Sequence, residues 1–412
     1  MVKVCDAIMG SGKSSAAITY MNEHPDDLFI YITPYLDEAS RIKKACPALR
    51  FVEPKKLAEF GGSKTKHTLE LICENRNIAT THSAFRGYPP ELLAEIKERG
   101  YTLIIDEDVS VLASLSTDPG DVQMAIDAGY IGEVEPGVYG LVKDVYHGDA
   151  LKDLFRVIRS RNLIRISGDE SDEQLFFWEL PPELLTSFKD VIILTYLFEG
   201  QDLYYLLTMY SIPYEMIGVE PGEDGTYRFG EAGRYVPEYT RHMHDMISIV
   251  DHERLNQIGG TRTALSMGWM KNSGEIEQLK KNIANYYRWF CKRNARKAMW
   301  STYTECKQKL RGEGYTKGFV SWNQKSSNSF RERENLAYCV NLYMNVGRKL
   351  FFRKRGVVVD DDAYALSAMV QWIWRSAIRD GKPIQIYVPS RRMRELLIDW
   401  IDSFETGGDA VG

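Results

Sequence analysis

The residues best suited to chemistry stand at the very start of the chain, in Ala7-Ile8-Met9-Gly10-Ser11-Gly12-Lys13-Ser14. The run fits the phosphate-loop pattern, with Ala in place of its opening Gly. Gly10 and Gly12, with Ser11 between them, let backbone amides curl around phosphate oxygens. Lys13 supplies a point charge to a β- or γ-phosphate, and the Ser14 hydroxyl is a magnesium ligand. A helix beginning at Lys13 turns its N-terminal dipole on the same anion. Such a loop needs an acidic partner at the end of another strand, and Leu103-Ile104-Ile105-Asp106-Glu107-Asp108 provides it. Asp106 is expected to hold the metal, and Glu107 to orient and deprotonate an attacking water. ATP and Mg2+ are the ligands this pairing implies. The plainer alternatives are a Gly-Ser-Gly turn before a helix and an acidic loop leaving a sheet. A dinucleotide fold fits poorly, because the third glycine is missing and Lys-Ser stands in its place.

The elements that must position these residues read as strands alternating with helices. Val2–Ile8, Leu28–Thr33, Asn77–Thr80, Thr102–Asp106 and Asp190–Tyr196 have strand character; Lys13–Asn22, Leu36–Ala45 and Pro90–Arg99 have helical spacing. That alternation implies an α/β fold with parallel sheets. Turn signals at Asp118-Pro119-Gly120, Glu135-Pro136-Gly137 and Ser167-Gly168-Asp169 mark residues 110–189 as an insertion in a first domain over residues 1–200. A second domain, residues 201–412, is expected to begin near Gly200 and to include Tyr214–Val219 as a strand. A polar helical insertion over 239–297 follows, and strands at Ala298–Thr302, Gly318–Trp322, Gly356–Val359 and Pro383–Val388 complete it. The tail Glu405–Gly412 has little to bury and reads as disordered.

Composition narrows the class. The hydrophobic fraction of 44% and charged fraction of 26% belong to a globular protein. No apolar run approaches the ~20 residues of a membrane span, and Met1–Asp6 lacks the features of a signal peptide. Six cysteines without a Cys-x-x-Cys pair argue against a zinc module and for a reduced, cytoplasmic location. Charge is unevenly spread: Lys271–Arg355 holds 20 of the 52 Lys and Arg residues but only 6 of the 57 Asp and Glu. A basic segment on an acidic chain suggests a polyanionic partner; a solvated helical face is the alternative. Within it, Tyr286, Tyr287, Arg288, Trp289, Phe290, Lys292 and Arg293 interleave aromatics with cations. That pattern suits a strand-tracking surface or an amphipathic helix packing its rings inward, and the sequence favours neither.

The order of these motifs resembles a superfamily 2 helicase of the DEAD/DEAH-like kind, especially those of bacteriophages and mobile elements. Ile32-Thr33-Pro34-Tyr35 stands where such helicases grip the nucleic-acid backbone, and Thr80-Thr81-His82-Ser83 matches their Thr-rich strand end. Leu194-Thr195-Tyr196 falls at the first coupling motif, with Tyr196 in place of a small residue. Ser321-Trp322-Asn323 and Ser327-Asn328 resemble the second. Gln371 to Arg379 resembles the arginine-finger helix, with Arg379 one residue further from Gln371 than in the family. No adenine-reading glutamine motif is expected ahead of the first strand, which sets aside the RNA-specialised subgroup that uses one.

The resemblance covers about two thirds of the chain and implies two tandem RecA-like domains with ATP between them. It further implies a nucleic-acid-stimulated ATP hydrolase acting on single-stranded or forked DNA, with RNA as the alternative. Thr33, Thr81, His82 and Asn328 would touch the nucleic acid. Gln371, Arg375 and Arg379 would act on the phosphates; read as one helix, the three share a face, and two arginines there suit transition-state charge. Replication proteins are candidate partners, and a monomer or weak oligomer is expected. Two other classes use the same loop: a nucleotide kinase, and a nucleic-acid binder that uses ATP as a conformational switch.

Overall fold

Every residue of Phe29–Thr33 is buried, as expected of a strand covered on both faces of a parallel sheet. The computed structural model describes the chain except residues 115–117, 136–137, 144–150, 152–153, 156–157, 159–162, 168–173, 293, 325–327 and 406–412. Gly168, Asp169, Arg293, Ser327 and nearly all of the tail expected to be disordered therefore lie outside the described residues. The chain forms two units. The first is Met1–Ala7, Gly12–Arg234 and Asn345–Val359; the second is Ile8–Ser11, Tyr235–Met344 and Asp360–Gly412.

In the first unit, β1 (Val2–Asp6), β2 (Phe29–Thr33), β3 (Ile78–Thr81) and β4 (Thr102–Asp106) are followed by a separate antiparallel sheet. That sheet comprises β5 (Leu112–Ser114), β6 (Ile131–Glu135), β7 (Val138–Leu141), β8 (Leu163–Ser167) and β9 (Gln174–Glu179). The chain then returns through β10 (Asp190–Thr195), β11 (Tyr214–Pro221) and β12 (Tyr227–Glu231). The main sheet runs β12-β11-β1-β10-β4-β2-β3, parallel except for β12. Register aligns the C-terminal ends: Asp6 lies opposite Thr195, Leu194 opposite Asp106, and Thr33 opposite Thr81. One sheet edge thus collects the ends of five strands. Helix α1 (Lys13–Glu23) starts at Gly12, whose φ of 97° is left-handed backbone.

The break expected near Gly200 falls inside this unit, because β11 pairs directly with β1. The polar, Gly-rich run Pro221–Gly233, which reads from the sequence as a connection within the second domain, instead carries an edge strand, because β12 folds back on β11. Residues 345–359 also belong here. The helix Val346–Lys354 places the Arg348 guanidinium on the buried Asp202 carboxylate, which also accepts from the Val111 N–H at 3.2 Å. The expected strand Gly356–Val359 is instead the connection that leaves this helix, with the Val357 N–H bonded to the Phe352 carbonyl.

The second unit holds a four-stranded parallel sheet ordered β13-β16-β15-β14. Its strands are β13 (Ile247–Ile249), β14 (Ala298–Ser301), β15 (Asn335–Tyr338) and β16 (Ile384–Tyr387). The chain is therefore two tandem RecA-like α/β domains. Gly318–Trp322 does not form the expected strand; it makes a single bridge, Trp300 to Phe319, beside β14. Gly318 is needed there, since a Cβ would lie 2.1 Å from the Ala298 carbonyl oxygen. The helix Ile276–Trp289 packs on the sheet through Tyr286 and Tyr287, whose hydroxyls donate to the carbonyls of Gln385 and Met299 at 3.1 and 2.8 Å.

Removing one member of a buried ion pair strands the other charge, at a cost of about 3–5 kcal/mol. Arg348→Ala is expected to lower the thermal unfolding midpoint clearly. Pairing Arg348→Met with Asp202→Asn, which keeps an acceptor for Val111, should recover part of the loss. Calorimetry of the single and double variants checks this, and a double variant no more stable than the single one would contradict it.

Candidate nucleotide site

Strand β1 ends at Asp6, and the chain then needs two left-handed residues, Gly10 at φ 85° and Gly12 at φ 97°, before α1 can start. Side chains disfavour both positions. At Gly12 space is closed as well, because an added Cβ would lie 2.4 Å from the Tyr227 ring on β12. After the loop, the Lys13 ammonium donates to the Ala7 carbonyl. Burial lowers the Lys13 pKa, opposed by neighbouring groups that include Asp6, Asp106 and Glu107. An ammonium whose charge burial still disfavours despite the carboxylates nearby gains from an anion brought against it.

At the second residue of α1, the Ser14 hydroxyl lies 3.3 Å from each Asp106 carboxylate oxygen. The Tyr31 hydroxyl donates to Asp106 Oδ2 at 2.6 Å, and His82 Nε2 donates to the Asp106 carbonyl at 2.9 Å. Burial raises the Asp106 pKa to about 6; the Tyr31 hydrogen bond opposes the shift and Glu107 adds to it. The donor set facing this point is one hydroxyl and one carboxylate, hard oxygens of the kind magnesium takes. Among the described residues no cluster of three or more His, Cys, Asp or Glu side chains could hold a metal alone. The set therefore fits an ion that keeps waters and shares phosphate oxygens, rather than a closed protein cage.

Glu107 adopts φ 66°, with its N–H bonded to the Leu194 carbonyl at 3.1 Å. Left-handed backbone at a non-glycine residue costs about 1–2 kcal/mol and clusters at functional positions. The chain therefore turns sharply where the second carboxylate must stand. Beside it, Thr195 at the end of β10 donates to Gln201 Oε1 at 2.5 Å, and Gln201 donates onward to the Tyr196 carbonyl at 2.7 Å.

The structure brings Lys13, Ser14, Asp106 and Glu107 to one sheet edge. Its treatment of the other expected residues is mixed. Thr33 is buried at the end of β2. Thr81 caps the helical turn His82–Phe85 by accepting from the Ala84 N–H at 3.3 Å. His82 is buried, and its Nε2 donates to the Asp106 carbonyl at the end of the acid strand. Asn328 begins a 3-10 turn, Asn328–Phe330.

The expected single helix face of Gln371, Arg375 and Arg379 does not exist, because the helix Asp361–Ile373 ends at Trp374. Gln371 is the one member inside it, bonded to Ser367 Oγ at 3.2 Å. Arg375 follows the helix and is buried, whereas Arg379 lies exposed in the 3-10 helix Ala377–Asp380. Tyr31 is the residue that the sequence reading missed. It sits on β2 opposite Ile104, two residues before Asp106, and so shares that residue's face of the sheet.

Comparison with known proteins adds a family. The chain is 36% identical over 414 residues to the SPbeta prophage-derived uncharacterized protein YonV of Bacillus subtilis (strain 168), covering 98% of this chain and 99% of that protein. The chain belongs to the YonV family. The family's C-terminal Rossmann-like domain model matches residues 241–401, the span that carries the four-stranded parallel sheet. Among solved structures, an XPD helicase overlaps with a TM-score of 0.49 at 11% identity, covering 99% of this chain and 95% of its own. Xpd4 of S. tokodaii overlaps at 0.46 and 12%, covering 97% and 94%.

Raising a buried carboxylate's pKa makes its ionisation costly to the fold. The folded value of about 6 stands above the ordinary 3.8. The protonated group therefore stabilises the fold at low pH, and that contribution is lost as pH rises through about 6. Asp106→Asn should stabilise the ligand-free protein at neutral pH by on the order of 3 kcal/mol, and so raise its thermal midpoint. The gain should vanish near pH 4, roughly the ordinary carboxylate value. Thermal melts of both proteins across that range measure it, and a pH-independent difference would be the wrong result.

Proposed function

We propose that this protein is an ATP-dependent helicase or translocase of the superfamily 2 type, a nucleic-acid-stimulated ATP hydrolase. The observation that carries the reading is the convergence of Lys13 and the Ser14–Asp106 pair, with both carboxylate oxygens 3.3 Å from the Ser14 hydroxyl. Loops that combine left-handed glycines, a lysine and a hydroxyl at a helix start recognise polyphosphate. Glu107, next to the metal-side Asp106, turns nucleotide binding into hydrolysis, because a pure switch needs no water-activating carboxylate.

The residues divide the work. Backbone amides from Gly10 to Ser14 surround the phosphates, and Lys13 neutralises the β- and γ-phosphate oxygens. Ser14 and Asp106 hold Mg2+, which when bound withdraws charge from the phosphate being transferred. Glu107 orients a water and takes its proton. On family resemblance alone, Gln371, Arg375 and Arg379 are retained for the developing charge on the γ-phosphate, though they share no helix face. DNA is the proposed partner, consistent with the basic residues between Lys271 and Arg355 and with the prophage origin of the relative. Thr33, Thr81 and Asn328 are retained as its contacts on family resemblance. Thr195, which bonds to Gln201 beside the acid strand, is assigned the coupling role on family resemblance.

ATP turnover with and without single-stranded DNA and RNA tests the reading. Lys13→Ala should abolish turnover in a folded protein. Glu107→Gln should still bind ATP but hydrolyse it roughly 10²-fold more slowly, the scale of a lost general base. Unchanged turnover in folded Lys13→Ala ends the phosphate-loop assignment. Failure of Glu107→Gln to bind ATP makes that residue structural instead.

A further inference from the structure

The phosphate loop accounts for a nucleotide's phosphates and leaves its base without a partner. The sheet order bears on this. From β1, the acid strand β4 lies two places away on one side and β12 two places away on the other. A triphosphate whose γ end points to Asp106 and Glu107 must therefore send its base toward β11 and β12.

Among the aromatics of these two strands, Tyr227 meets the loop. Tyr227, the first residue of β12, packs its ring on Gly12 so closely that an added Cβ would lie 2.4 to 2.7 Å from three of its ring atoms. The ring is half-buried. Its strand is tied to α1 by Phe229 against Tyr20, at 5.9 Å between ring centroids, and by Arg228 to Glu23 at 3.0 Å. Tyr227 is thus held against the loop by a paired strand, half-buried rather than fully covered.

We propose that Tyr227 is the nucleobase-stacking residue of this site, taking the purine of a nucleoside triphosphate on its ring. The inference rests on the phosphate-loop reading above and adds a base contact to it. Stacking on a single ring tolerates any purine, because every purine offers a π-face.

Binding of ATP and of inorganic tripolyphosphate, each with Mg2+, is to be measured by calorimetry for the wild type, Tyr227→Ala, Tyr227→Phe and Lys13→Ala. Tyr227→Ala should weaken ATP about tenfold or more and leave tripolyphosphate within about twofold, while Tyr227→Phe stays near wild type for both. Equal losses of ATP and tripolyphosphate in Tyr227→Ala would mean that the ring only braces the loop, and the proposal falls. ATP affinity unchanged in Tyr227→Ala also overturns it. Wild type that binds neither ligand, or binds both independently of Lys13, sinks the phosphate-loop reading itself.

Discussion

At the end of β4, Asp106 accepts hydrogen bonds from Ser14 and Tyr31 through its carboxylate and from His82 through its carbonyl. These partners arrive on three separate elements: helix α1, strand β2 and the turn after β3. They can meet only if β4 lies between β10 and β2, with β3 beyond and all strand ends level. The observed order and register supply that arrangement. Buried strands such as Phe29–Thr33 make slippage expensive, because a shift of one residue would exchange the two covered faces. The hydrophobic sheet thus fixes a carboxylate where its ionisation is disfavoured until a cation arrives.

The parts of this site that lie together in the sequence were legible in the sequence. The glycines, Lys13 and Ser14 form one contiguous run, and Asp106 and Glu107 close an apolar strand. Tyr31 was not legible, because its tie to Asp106 depends on which strand lies beside β4 and in what register. The arginine segment failed for a related reason. Its periodicity is helical through Arg379, yet the Ala377 N–H is taken by the Arg333 carbonyl at 2.9 Å, and this tertiary bond draws the backbone off the helical path. The Gly-rich polar residues between Pro221 and Gly233 read as a connection within the second domain. They form the turn and return strand of an edge hairpin, where one solvated face relaxes the demand for apolar residues.

The basic segment resolves into different environments. Tyr286 and Tyr287 are buried with their hydroxyls satisfied, whereas Arg288, Trp289, Phe290 and Lys292 are exposed at the end of the same helix. The two readings left open by the sequence each describe part of it. Five of its cations, Arg348, Lys349, Arg353, Lys354 and Arg355, leave the second unit altogether and belong to the first. Local charge density in a sequence therefore overstates the charge gathered on any one surface here.

That excursion of residues 345–359 bears on how the molecule is made. A chain leaving the ribosome presents β1 to β12 long before Arg348 exists, since its partner Asp202 precedes it by 146 residues. At a synthesis rate of roughly 5–20 residues per second, the interval lasts about 7 to 30 seconds. Throughout it, the pocket that will hold the guanidinium contains a carboxylate with no cation, and the surface under the helix Val346–Lys354 stays uncovered. Completion of the first unit is thereby tied to synthesis of most of the second. A nascent chain halted before that helix would carry the phosphate loop without the ion pair that anchors the backbone just after Glu107.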